Sequence, residues 1–156
     1  MRNRSLALAA SALALASLGL VACSSSDTTE ATAPAATTSV QGPAGPIAAP
    51  AAPERVDAAT FSEVVDSPGV TVIDVRTPEE FAEGHITGAI NYNVEGADFA
   101  TQIATLDPAG TYAVYCRSGN RSQVAVSEMA NSGIPGIYEL ETGITGWQDA
   151  GLPVVQ

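Results

Sequence analysis

Short runs of β-branched and apolar residues, separated by helix signals, constrain this chain most. Val70–Asp74 (VTVID) and Thr111–Tyr115 (TYAVY) read as buried strands, and Ile137–Leu140 (IYEL) as a further one. Ala89–Asn93 (AINYN) reads as another short strand. Between them lie helix starts. Thr60–Glu63 (TFSE) has capping-box spacing and opens a short helix that Ser67–Gly69 (SPG) ends. Thr77–Glu80 (TPEE) places an N-cap threonine, a proline at the first helical position and a glutamate closing the box. Asp98–Leu106 (DFATQIATL) sets Phe99, Ile103 and Leu106 on one helical face. Ser122–Asn131 (SQVAVSEMAN) is helical with Ser122 as N-cap, and GITGWQDAG is a final helix ended by Gly151. Strands alternating with helices imply right-handed crossovers and a mainly parallel sheet with helices on both faces, a three-layer α/β domain. The roughly 100 residues from Val56 onward are enough for one such core.

The first 23 residues obey a different rule. Arg2 and Arg4 precede an apolar run from Ser5 to Ala22, and a cysteine follows. That is the order of a secretory signal, although the run approaches the roughly 18 residues of a spanning helix. Leu20–Cys23 (LVAC) resembles the lipobox of bacterial lipoproteins. The resemblance implies cleavage before Cys23, lipidation of that residue and an anchor on the outer side of a bacterial cytoplasmic membrane or beyond. An uncleaved helix is the alternative, and it places the domain on the same side. Ser24–Glu54 is rich in Ala, Thr, Ser and Pro, lacks basic residues and shows no periodicity. It is expected to be a disordered tether, about 30 Å across as a coil. The expected organisation is therefore a signal over 1–22, lipidated Cys23 with its tether over 23–55, and a domain over 56–156.

Six arginines and no lysine face 17 acids, a formal charge of −11. Such a surface repels nucleic acid, so none is expected as a partner. Losing the signal removes Arg2 and Arg4 and leaves every acid in place. His85 is the single histidine and there is no C-x-x-C, so no structural zinc site is expected.

The chemistry concentrates in Val114–Ser122 (VYCRSGNRS). Cys116 follows a strand and precedes a helix, the address at which open α/β sheets bind ligands. Successive N–H groups in a tight loop make an anion-binding concavity, and Gly119 permits positive φ there. A thiol at a helix start beside Arg117 and Arg121 titrates below an ordinary cysteine. An inert buried cysteine at a strand end is the plain alternative.

Cys116–Ser122 (CRSGNRS) resembles the active-site loop of rhodanese-like sulfurtransferases, C-R-x-G-x-[RT]. Val72–Val94 (VIDVRTPEEFAEGHITGAINYNV) is similar to that family's D-V-R…E-[FY]-x-x-G-H-I-x-G-A segment, and ELETGITGWQDAGLPV to its closing G-x-x-x-W-x-x-x-G-x-P-V. The resemblance implies the rhodanese-like fold with about five strands and a nucleophilic Cys116 that carries sulfane sulfur as a persulfide. It implies a cradle built from Arg117, Ser118, Gly119, Asn120, Arg121 and Ser122, and neither a metal nor an organic cofactor. Arg117 and Arg121 would attract a small sulfur-containing anion such as thiosulfate, and the acceptor would be an external thiol or cyanide. Asp74 and Arg76 are expected to form a structural network at the loop base, His85 to serve in structural hydrogen bonding, and Trp147 to pack the last helix.

Related cysteine phosphatases use C-x5-R, whereas Cys116 to Arg121 is C-x4-R, a smaller cradle better matched to sulfur. Dithiol redox chemistry lacks a resolving cysteine once Cys23 carries lipid. A non-catalytic binding module on the same fold is the remaining alternative. Thr87 and Thr142 depart from the family pattern, which often has proline and glycine there, and both lie outside the loop.

Overall fold

The computed structural model describes residues 45–156. The expected signal segment, the lipid-accepting Cys23 and the tether as far as residue 44 lie outside the described residues. Among those described, no helix is long and apolar enough to cross a membrane.

Among the described residues ten elements alternate: β1 (Glu54–Val56), α1 (Ala58–Val65), β2 (Val70–Asp74), α2 (Pro78–Glu83), β3 (Ile90–Asn91), α3 (Phe99–Ile103), β4 (Thr111–Tyr115), α4 (Asn120–Asn131), β5 (Ile137–Leu140) and α5 (Gly143–Asp149). All strand pairs are parallel, in the order β1-β5-β4-β2-β3. This is the five-stranded α/β sheet expected from the sequence. Parallel strands covered on both faces have no wet side, which is why β2, β4 and β5 read as apolar runs.

Side chains alternate across β4. Tyr112, Val114 and Cys116 join Phe99, Ile103, Ala125 and Met129 on the α3/α4 face. Ala113 and Tyr115 join Phe61, Val64, Ile144 and Trp147 on the α1/α5 face. Phe61 anchors the second layer, edge-on to both Tyr115 and Trp147 with centroids 6.4 and 6.2 Å away. Burying each such ring stabilises the fold by about 1.5–3 kcal/mol. Trp147 also donates its indole N–H to Pro153 O at 2.9 Å, tying down the C-terminal segment.

Several element boundaries differ from the sequence reading. Helix α1 starts two residues before Thr60, because the Asp57 carboxylate caps it by accepting from Thr60 N at 2.8 Å. The capping box at Thr77 and Glu80 forms as expected, with Pro78 in the first turn. Helix α4 starts at Asn120 with left-handed Gly119 at its N-cap, so Ser122 is not the cap. Its hydroxyl is turned inward instead. AINYN contributes only Ile90 and Asn91 to the sheet. Strand β1 was not anticipated: Glu54 and Arg55, expected in the tether, pair with β5. The chain just before β1 also packs down, with Ile47 against the core and Ala48 O accepting from the Tyr138 hydroxyl at 3.0 Å.

Candidate active site

The loop from Cys116 to Gly119 leaves the C-terminal end of β4, the central strand, and enters α4. Its carbonyls are held from below by α5. Ile144 N donates to Cys116 O at 2.8 Å, and Thr145 donates to Arg117 O through both its N–H and its hydroxyl. With the carbonyls engaged there, loop N–H groups are left to turn toward the sulfur, and Gly119 N lies 3.2 Å from Cys116 Sγ. This close winding demands glycine at position 119. Its φ is +85°, and a Cβ there would collide with Glu141 O. Thr142, where the family often has glycine, sits in ordinary right-handed backbone and needs none.

Cys116 is buried. Burial pushes its thiol up. When the Ser122 hydroxyl turns to the sulfur, that donor and the N–H groups of Ser122, Ser118 and Gly119 together outweigh burial, and the thiol falls below its ordinary value. A thiolate is the nucleophilic form of cysteine, so the setting favours covalent chemistry at sulfur.

The two loop arginines have different surroundings. Arg121 reaches across to α2 and clamps Glu80 through two bonds of 2.7 and 2.8 Å, with Glu95 adding a third at 3.2 Å. The Arg121 hydrogen bonds hold the Glu80 carboxyl down to about 2. Its charge is therefore committed to protein carboxylates, which corrects the expectation that both arginines are available to an anion. Arg117 is exposed and makes no ion pair among the described residues. It borders a cleft of about 410 Å³ lined also by Arg76, Glu80, Glu83, Thr145 and Gln148.

Asp74 and Arg76 lie at the end of β2, both buried, in a bidentate pair with bonds of 2.6–3.0 Å. Arg76 also donates to Gly84 O at 2.7 Å, and Asn91 bridges the Asp74 and Arg76 carbonyls. This cross-brace fixes the β2–α2 turn and the segment after α2, next to the cleft. His85 stacks on Phe81 at 3.8 Å, shares Nδ1 with Phe81 O, and exchanges backbone bonds with Val155. Among the described residues none of its bonds reaches Cys116.

Glu139 and Arg55, linked to the cysteine through Ser122, escaped the sequence reading. Ser122 Oγ lies 3.5 Å from Cys116 Sγ and donates to Glu139 Oε1 at 2.7 Å. Glu139 Oε2 in turn pairs with Arg55 Nε at 3.0 Å. The available signal was the glutamate inside IYEL, since an acid in a buried strand requires a partner. Arg55 carried no signal of its own.

A family model described as "Rhodanese-like domain" matches residues 57–150. An uncharacterized protein of Synechocystis is 33% identical over 104 residues, covering 62% of this chain and 53% of the relative, so the chain spans about half its length. Thiosulfate sulfurtransferase 16, chloroplastic, of Arabidopsis thaliana is 37% identical over 95 residues, covering 54% of this chain and 79% of that protein. The crystal structure of a rhodanese-related protein from Thermoplasma volcanium is similar with a TM-score of 0.58 and 34% identity, over 65% of this chain and 97% of that one.

Proposed function

The chain belongs to the rhodanese-like domain family, and from that premise we propose that it is a sulfurtransferase working through a persulfide on Cys116. The observation that carries the reading is the Cys116 sulfur held between the end of β4 and the start of α4, with Gly119 N 3.2 Å away. The similarity to a plant thiosulfate sulfurtransferase adds support.

In the proposed cycle the Cys116 thiolate attacks the outer sulfur of thiosulfate. The S–S bond of the donor breaks, sulfite leaves with the electron pair, and a new S–S bond forms on Cys116. The negative charge moves to the outer sulfur, which the loop N–H groups of Arg117 to Ser122 cradle as anion donors do. An external thiolate or cyanide then attacks that outer sulfur and releases the Cys116 thiolate. Arg117, exposed beside the cleft, draws the anionic donor in. Asp74, Arg76 and His85 shape the surrounding turns without touching the sulfur.

Cyanide turnover in the presence of thiosulfate tests the activity. Thiocyanate formation by the wild type and none by Cys116→Ala is expected. No turnover above that control would favour a non-catalytic sulfur- or anion-binding module.

We also propose that the protein is a lipoprotein, anchored through Cys23 outside the cytoplasmic membrane. Arg2, Arg4, the apolar run and LVAC support this reading. Labelled fatty acid should enter the wild type expressed in a bacterium and be absent from Cys23→Ala. Equal labelling of both would contradict it.

A further inference from the structure

The persulfide cycle leaves one buried acid without a task. Glu139 lies in β5 at 2% exposure, between the buried residues Tyr138 and Leu140. Burial pushes its carboxyl up, against the pull of Ser122 and Arg55. An acid kept in such a place requires compensation, and it has two partners: the Ser122 hydroxyl at 2.7 Å and the Arg55 guanidinium at 3.0 Å. The Ser122 oxygen also lies 3.5 Å from Cys116 Sγ. Three side chains from β1, α4 and β5 thus line up behind the candidate nucleophile.

A hydroxyl has a single hydrogen. A short bond to an ionised carboxylate is roughly twice as strong as one between neutral groups, and the contact to sulfur is the longer of the two. While Glu139 is ionised, the hydrogen stays with it and a Ser122 lone pair faces Sγ. That arrangement accepts from a thiol S–H and tolerates a neutral divalent sulfur. It repels a thiolate.

We infer that Glu139, acting through Ser122, is a positioning residue that opposes negative charge on Cys116 Sγ and thereby biases the site toward its sulfur-loaded state. The inference rests on the sulfur-carrier reading of Cys116. In the free thiolate the charge sits on Sγ itself. In the persulfide Sγ is neutral and the charge lies on the outer sulfur. Loading exchanges Cys116–S⁻ and thiosulfate for Cys116–S–S⁻ and sulfite. One S–S bond breaks, another forms, the electron pair leaves with sulfite, and neither a proton nor an oxidant is needed. Glu139 raises the free energy of the unloaded thiolate more than that of the persulfide. Of the other charged groups around Glu139, Arg55 from β1 offsets this field and Glu141, just past β5, adds to it. The Arg55 side chain is 47% exposed, so solvent weakens its compensation.

Alkylation of sulfur-free Cys116 by iodoacetamide, followed across pH by peptide mass, tests the role of Glu139. E139Q should react about tenfold faster than the wild type at a pH below the wild-type midpoint. The thiosulfate-to-sulfite ratio needed for half loading should rise by a similar factor. S122A should not slow alkylation, because the hydrogen it removes was not on the sulfur. Slower alkylation in S122A, a profile of E139Q that superimposes on the wild type, or an unchanged loading ratio would each overturn the inference. If E139Q does not fold, S122A decides alone. No loading of the wild type, together with a shifted E139Q profile, sinks the sulfur-carrier reading. Normal loading with unshifted profiles sinks only the role of Glu139.

Discussion

Replacing Asp74 with alanine tests whether the buried pair at the end of β2 is an electrostatic brace. Arg76 is 5% exposed and its guanidinium has two sets of partners, the Asp74 carboxylate and Gly84 O. Removing the carboxylate leaves a buried cation with one carbonyl. Breaking a buried pair this way costs about 3–5 kcal/mol. The Arg76 backbone N–H also loses its bond to Asp74 Oδ1, so the upper part of that range is expected. With a urea m-value of about 1.5 kcal/mol/M, the unfolding midpoint should fall by about 3 M. The informative control is Asp74→Leu with Arg76→Met. Exchanging a buried pair for apolar groups is often close to neutral, and here the abandoned Gly84 carbonyl should hold the loss to about 1–3 kcal/mol. A single variant losing under about 1 kcal/mol would refute the brace. A double variant as damaged as the single one would show that packing matters there and charge does not.

Two other outcomes follow from the arginines of the loop. The Glu80 carboxyl is held down to about 2 by Arg121. Its stabilisation is present in full above the usual carboxylate value and is lost as pH falls toward 2. With Glu80 22% exposed, solvent screening limits the contribution to about 1 kcal/mol. Denaturation curves between pH 5 and pH 2 should therefore flatten in Glu80→Gln, and an unchanged slope would count against the clamp. For Arg117→Ala the KM for thiosulfate should rise about five- to tenfold at low ionic strength, the worth of about 1 kcal/mol for one exposed charge. Raised salt should shrink that difference, and an unaltered KM would remove Arg117 from donor capture.

Most of the fold was legible because its determinants are local. β2, β4 and β5 are buried on both faces and read as apolar runs, and α2 announces itself through Thr77, Pro78 and Glu80. β1 was not legible, because three residues at a sheet edge become a strand only by pairing with β5 in the register Arg55↔Glu139. The start of α4 was misread at Ser122 because a buried acid 17 residues away claims its hydroxyl. Arg121 looked available beside Cys116, yet its partner Glu80 lies 41 residues earlier. Around the loop, the sequence showed which groups are present. Which charges are already neutralised depends on contacts between distant segments, and those appear only in three dimensions.

A Cys116 that carries sulfur gains mass when it is loaded. Incubation of the sulfur-free protein with thiosulfate, followed by peptide mass analysis under non-reducing conditions, should show one added sulfur atom on the Cys116 peptide. The addition should vanish on treatment with cyanide and be absent from Cys116→Ala. An unmodified Cys116 peptide after exposure to excess thiosulfate would show that Cys116 is not a sulfur carrier.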